Sequence, residues 1–472
     1  MTSPHRDDPR DAAVSATIPP ASEGSRRTAG VLDPAYRWVS IGLFLIVMLD
    51  AFVALGVTTM MPTVSQELDG AGLYAFAFAG PIAVSVVGMV LAGIWSDRGN
   101  PRHALIVSVI IFAAGLMVVA LAPSMWAFVT GRLVHGLAGG AITVALYVIV
   151  ARVYPEALRP RVFAGFAAAW VIPSLIGPVI AGVLAETVGW RWVFLGVVVL
   201  VLLALLIVIP AMRDVRGPAD RAVLGRAEAV RVGLAVIVAS GALVIALAAE
   251  SRGVIQWLVP IIAAAIALVA LRPLLPVGTS LARRGLPSVV LMRALVAAIF
   301  FAAEIYVPLL LVSQYGTSAA VAGLALTVAA LSWSAASWVQ GRLPSISHVV
   351  AARLGTLGLT IGVASLLVVA ATRASPIVVV VGWAFAGAGI GLIYPRLGVL
   401  ALEYSTTANQ GFNSSALTIA EATASAVAVA ATAIVFSAFG GAASPRSFAA
   451  AFVVVGALCA LAWLCSPRIV RR

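Results

Sequence analysis

From residue 38 to residue 466 the chain alternates long apolar runs with short breaks of polar, Gly or Pro residues. A helix needs about 20 consecutive apolar residues to cross the hydrocarbon core of a bilayer, and runs of that length are the pattern seen here. The pattern predicts fourteen membrane helices, at 38–61, 73–95, 103–122, 125–152, 162–186, 191–211, 230–249, 254–271, 288–312, 319–341, 349–371, 376–400, 411–438 and 447–466. Glu250, Ser251, Arg252 and Gly253 split the stretch 230–271 into two of these. Residues 1–35 hold no such run. They are polar, rich in Pro, Ser, Asp and Arg, and are expected to be a disordered tail. Acids at Asp7, Asp8 and Asp11 and the lack of an apolar stretch do not fit a signal peptide, so the first run is expected to stay as a helix.

Composition supports this reading. The chain is 62% hydrophobic and 10% charged, whereas soluble proteins carry about 25% charged residues. The expected class is an all-α polytopic membrane protein. The net charge of +12 comes with arginines scattered between apolar runs, which fits membrane topology and not a nucleic-acid face. One set of alternate loops carries Arg98 and Arg102, then Arg152, Arg159 and Arg161, then Arg213, Arg216, Arg221 and Arg226, then Arg272, Arg283 and Arg284, then Arg342, and finally Arg468, Arg471 and Arg472. The other set carries Arg191, Arg252, Arg373 and Arg446, one per loop. By the positive-inside rule both termini should be cytoplasmic, with the protein in the plasma membrane.

The breaks also divide the chain. Six helices in 36–212 form a first bundle, a basic connector at 213–286 holds two extra helices, and six more fill 287–468. Transporters are often built from such related halves, with the substrate site between them. Cys459 and Cys465 lie in the last run and read as packing residues.

Three stretches are more specific. After the second run, GIWSDRGNPR places Gly93, Asp97, Arg98, Gly99 and Arg102 in a tight turn, where an Asp can cap a neighbouring helix and arginines can meet a carboxylate or lipid. In the fourth run, TGRLVHGLAGG sets Arg132 inside apolar sequence beside Gly136, Gly139 and Gly140. An intramembrane Arg faces an aqueous cavity or a carboxylate, unless it snorkels to an interface. His135 in the same run reads as a proton relay or a packing histidine. In the fifth run, PSLIGPVIAG combines Pro173, Gly177, Pro178 and Gly182. The two prolines kink the helix, and Gly165, Ala169, Pro173, Gly177 and Ala181 leave one face nearly bare for close contact.

Together these stretches resemble the major facilitator superfamily. GIWSDRGNPR is similar to its loop motif after helix 2, TGRLVHGLAGG to its helix 4 arginine motif with His135 where Gln is common, and PSLIGPVIAG to its helix 5 antiporter motif. Pro173 and Ala181 replace glycines of that last pattern. The count of fourteen is similar to the drug:proton antiporter branch, and strings of the second half, such as AAEIYVPLLLVSQYG, resemble actinobacterial members. The resemblance implies two six-helix bundles plus two central helices, alternating access, and efflux of small amphipathic or drug-like molecules in exchange for protons. Many relatives keep an acid nine residues before the proline that ends helix 1. Here that position is Val53, and Asp50 lies about one turn earlier.

Three acids fall inside predicted spans: Asp50, Glu304 and Glu421. A carboxylate at the bilayer centre costs ~2.5–3.5 kcal/mol on insertion scales, so each needs a reason. By the family's architecture, helices 1 and 9 face the central cavity symmetrically. Asp50 and Glu304 are then the expected proton carriers, with Arg132 placed to bias Asp50, directly paired or not. Glu421 is expected either to couple protons or to tie helices together. Tyr306 and Trp333 are candidates to stack on a substrate, as are Trp338, Tyr147 and Trp170, although membrane Trp more often anchors at the interface. Arg396 and Glu403 read as gate charges. No G-x-x-x-x-G-K-[ST] loop occurs, so the proton gradient and no cofactor is the expected drive. The expected partners are a small-molecule substrate, protons and membrane lipids, with no nucleic acid and no metal, in a monomer. The alternatives are a proton-coupled metabolite carrier and a lipid or envelope-precursor transporter or assembly partner. An enzyme is disfavoured, since the four His are scattered.

Overall fold

The computed structural model describes residues 30–471, apart from 156–157, 214, 216–224, 249–250, 252, 343–345 and 406–409. Among the described residues, fourteen helices are long and apolar enough to cross a membrane. The first bundle consists of α1 (Arg37–Glu67), α2 (Tyr74–Arg98), α3 (Pro101–Ala120), α4 (Met125–Val153), α5 (Arg159–Thr187) and α6 (Trp190–Ala211). The connector supplies α7 (Arg226–Leu247) and α8 (Val254–Leu271). The second bundle holds α9 (Leu286–Tyr315), α10 (Ala319–Arg342), α11 (His348–Thr372), α12 (Ile377–Glu403), α13 (Gln410–Ala438) and α14 (Pro445–Cys465). Gly30 to Tyr36, expected as the end of a disordered tail, form a turn on α1, where the Ser40 hydroxyl donates to the Val31 carbonyl (2.6 Å).

The bundles repeat one packing plan. In the first, α4 packs on α2 and α3, α1 packs on α5 and α6, and α3 packs on α6. In the second, α12 packs on α10 and α11, α9 packs on α13 and α14, and α11 packs on α14. Helix pairs α1/α9 through α6/α14 are therefore equivalent. Glycines let the backbones close up at matching places. A Cβ on Gly136 or Gly140 of α4 would collide with the backbone of Pro81 or Ser85 in α2. A Cβ on Gly387 or Gly391 of α12 would collide with the carbonyls of Ala329 and Trp333 in α10. Hydrocarbon tails are as apolar as Leu, so such close contact holds membrane helices together in place of a hydrophobic drive.

The bundles meet along two equivalent seams, α5 with α10 and α2 with α13. The extra helix α7 covers the second seam. Its Ala235 packs among Val86 of α2 and Ile419 and Ala422 of α13, and its Ala242 packs between Ala83 and Ala426.

Helix α9 breaks between Glu304 and Tyr306. Pro308 has no N–H to offer the carbonyl four residues back, which is that of Glu304. The sequence pattern showed one run there, and the structure shows two segments in line.

Candidate functional site

The loops bearing most of the arginines lie at one end of the bundles, called here the basic end. At the opposite end the bundles are shut. The Tyr74 hydroxyl of α2 donates to the Ile305 carbonyl of α9 (2.9 Å), and Glu186 of α5 accepts from the Ala320 backbone N–H of α10 (3.0 Å). Gly182 has no room for a Cβ beside Ala320, and Gly323 lies against the Pro178 carbonyl and Thr59. The helix 5 motif therefore does two jobs. Gly182 and Pro178 meet α10, while Gly177 faces Phe52 and Ala181 faces Gly56 of α1. Gly165, nearer the basic end of the same helix, has nothing within reach of a Cβ. Pro173 points elsewhere, into a wholly apolar groove between α1, α5 and α6 that also holds Phe52, Ile176 and Trp192. With no charged wall, that groove is not the place for ionic chemistry.

In the first bundle, Asp50 stands on α1 facing α4. It is half-buried, and its Oδ1 lies 3.7 Å from where a Cβ on Gly139 would sit. The α4 glycines thus divide their work, with Gly136 and Gly140 admitting α2 and Gly139 giving room to Asp50. Arg132, expected as a possible direct partner, does not form an ion pair with Asp50. It is 5% exposed, its Nε donates to the Ala77 carbonyl (3.4 Å), and its Nη1 meets His135 Nδ1 (3.3 Å). The guanidinium still acts on Asp50 through space. His135 packs its ring on Phe112 (4.4 Å between centroids), which makes it a core residue, and its Nε2 is buried with no partner among the described residues.

The second bundle holds a cluster that the sequence reading caught only in part. Arg293 of α9 donates from Nε to Glu421 Oε2 of α13 (2.8 Å) and from Nη1 to the Tyr394 carbonyl of α12 (3.1 Å). Its guanidinium carbon lies 3.2 Å over the Tyr394 ring. Both charged side chains are mostly buried, with 18% of Arg293 and 23% of Glu421 exposed. Trp333 of α10 stands edge-on to Tyr394 and to Phe300. Tyr147 of α4, in the other bundle, is half-exposed and packs edge-on to Phe163. An ion pair and an aromatic cluster thus come together on α9, α10, α12 and α13 of the second bundle. Arg293 was missed because it lies seven residues into α9, close enough to the basic connector to pass as a flanking charge. The signal was present: an Arg within VVLMRALVAAIFF.

Two expectations need correction. Tyr306 does not stack on anything in the cavity. It is fully buried among Phe436, Phe448 and Phe452, with its hydroxyl on Thr432 (3.5 Å). Glu304 does not mirror Asp50. Counted from Pro62 and Pro308, the proline near the far end of each helix, Asp50 stands twelve residues back and Glu304 only four. Glu304 is 7% exposed and has no ion-pair partner among the described residues.

At the basic end, Arg98 of the loop motif pairs with Glu228 of α7 (2.5 Å), and Asn100 donates to the Val215 carbonyl of the connector (2.9 Å). Arg152 donates to the Ser96 carbonyl just before that turn (2.9 Å). Gly93 has only Val144 near it, and Gly99 sits tightly against Trp95. Arg102 donates its backbone N–H to the Asn100 side chain (3.0 Å), capping α3. The Asp97 side chain lies outside the described residues. Arg396 is no free gate charge. It donates to the Gln340 side chain (3.0 Å) and the Ile346 carbonyl (2.6 Å), holding the α10–α11 turn as Arg152 holds the α2–α3 turn.

Two pseudo-equivalent six-helix bundles meeting along paired seams are the architecture of a membrane transporter. The family model described as Major Facilitator Superfamily matches residues 43–429, and the chain belongs to that superfamily. Among curated relatives, a probable multidrug-efflux transporter of Mycobacterium tuberculosis is 28% identical, over 73% of this chain and 76% of its own length. The multidrug efflux pump SdrM of Staphylococcus aureus is 21% identical, over 77% of this chain and 81% of its own. Among solved structures, a POT family transporter in complex with a thioalcohol-conjugated peptide matches with a TM-score of 0.69 at 15% identity, covering 92% of this chain and 97% of that one. A bacterial homologue of the human lysosomal transporter Spinster, in an inward-facing and unoccupied conformation, matches at 0.66 and 16% identity, covering 93% and 98%. At that identity the structural likeness speaks for the fold.

Proposed function

We propose that this transporter exports small amphipathic, drug-like molecules across the plasma membrane in exchange for protons. Positive-inside asymmetry puts the basic end and both termini in the cytoplasm. The state described above is then open to the cytoplasm and shut to the outside, ready to load cargo. The relatives named as multidrug-efflux proteins support the direction and class of transport. The observation that carries proton coupling is Asp50, a carboxylate inside a membrane helix that faces the small Gly139, feels Arg132 and is locked by neither. Such a group can gain and lose a proton as the cavity changes sides, and Glu304, buried and unpaired, is the second carrier. The membrane potential adds ~2.3 kcal/mol per charge per 100 mV to the drive.

The test is transport in proteoliposomes under an imposed pH gradient, followed with fluorescent amphipathic dyes. Wild type should export in a gradient-dependent manner. Asp50→Asn should lose most of that dependence, and Glu304→Gln part of it. Gradient-independent export, or full activity in both variants, overturns the proton-coupled reading.

A further inference from the structure

The Arg293–Glu421 pair is not needed for the proton cycle built on Asp50 and Glu304, yet both of its side chains remain partly exposed. Its chemistry is specific. Arg293 keeps three supports, namely the Glu421 carboxylate, the Tyr394 carbonyl and the Tyr394 ring. Arg293 is the one ion-pair partner that Glu421 has among the described residues. Around the pair are aromatic rings, Tyr394 beneath the guanidinium and Trp333 edge-on to Tyr394.

A guest entering this site must leave no charge stranded, because breaking a poorly solvated ion pair from one side leaves the other ion uncompensated. A lone cation that takes Glu421 leaves the guanidinium with a carbonyl and a ring only. A lone anion that takes Arg293 leaves Glu421 without its ion-pair partner. A molecule bearing both an ammonium-type cation and a carboxylate can part the pair and satisfy each half, while its rings lie against the aromatic wall. The pair thus rejects singly charged guests by the partner each would leave unpaired, which is specificity by penalty as well as by attraction.

We propose that Arg293 and Glu421 form a substrate site selective for aromatic zwitterions, the cationic end going to Glu421 and the acid to Arg293. The proposal rests on the efflux reading for the direction of transport, but not for binding.

The experiment compares rhodamine B, a zwitterion, with its ethyl ester, the same ring system as a plain cation. Binding to the purified full-length chain in nanodiscs is read by fluorescence anisotropy at neutral pH. Wild type should bind rhodamine B on the order of tenfold more tightly than the ester. Arg293→Gln should abolish or reverse that preference, and Arg293→Lys should keep it. Glu421→Gln should likewise abolish the preference, and a melting curve of each variant shows that its fold is kept. Equal or tighter binding of the ester to wild type overturns the site, as does an unchanged ratio in Arg293→Gln or saturable binding of neither dye. Dye export in proteoliposomes is scored separately. Zwitterion-selective binding without gradient-dependent export supports the site and overturns the efflux reading alone.

Discussion

Arg132 and Arg293 are both cations inside membrane helices, and they are compensated in different ways. Arg132 is sunk between α2 and α4, and its bonds go to a carbonyl and a histidine, so its charge stays directed at Asp50 without being quenched by it. The two lie beyond ion-pair distance, so their interaction is worth less than the roughly 4 kcal/mol of a pair at about 4 Å and an effective dielectric near 20. Arg293 instead meets a carboxylate directly. The aromatic residues divide in the same way. Tyr306 is core, and Trp333 is wall. Tyr306→Phe should therefore leave dye affinity and melting temperature close to wild type, since it removes one long hydroxyl contact. Trp333→Ala should weaken dye binding, on the order of the ~0.5–2 kcal/mol that one aromatic face contributes to a cation. Titration of both variants with the same dye checks this, and a strong loss of affinity in Tyr306→Phe would return that tyrosine to the cavity.

Helix contacts follow the glycine faces, and each face has its own tolerance. A Cβ on Gly140 would fall 2.1 Å from the Ser85 carbonyl, a backbone atom that cannot swing away. A Cβ on Gly139 meets only Asp50 Oδ1 at ordinary contact distance. Gly140→Leu should cost at least the ~1–3 kcal/mol typical of overpacking and lower the melting temperature in detergent. Gly139→Ala should leave stability near wild type. Comparable melting temperatures for the two would contradict the α2–α4 packing. The α7–α8 hairpin is the element that breaks the symmetry of the halves. It seals the α2–α13 seam, holds the loop motif through Glu228 and Arg98, and lets the Gln256 side chain donate to the Ile434 carbonyl of α13 (3.4 Å). The equivalent α5–α10 seam has no such cover. Two extra helices were legible as apolar runs, but their position over one seam was not. It is set by which small-residue faces of α2 and α13 remained open.

For the whole molecule, the closed end is the feature that a change of state must undo. Gly182 and Gly323 let α5 and α10 touch backbone to backbone there. A bulky side chain at Gly182 should wedge that end apart and shift the population toward the state open on that side, since a state with no room for the wedge loses its advantage. Tyr147→Cys, placed on the half-exposed cavity wall, should react with a membrane-impermeant maleimide from the basic side. Adding Gly182→Leu should slow that reaction severalfold, while the native Cys459 and Cys465 stay buried and silent. An unchanged rate would mean that this junction does not control access.

The order of apolar runs determined, by itself, the fourteen spans, and the residues of three short motifs pointed to the family. Those features are local, because a run long enough to span, a Pro that kinks and a Gly that admits a neighbour each act within one or two turns. Tertiary structure alone decided which charges meet. Arg293 and Glu421 are 128 residues apart in the chain, and Tyr147 belongs to the other bundle. The packing plan also set Asp50 beside Gly139 and apart from Arg132, and it put Tyr306 in the core and Trp333 on the wall. The physical reason is that every membrane helix is apolar on most sides, so hydrophobicity marks a span without marking its inward face. That face is fixed only when small residues on neighbouring helices choose their contacts.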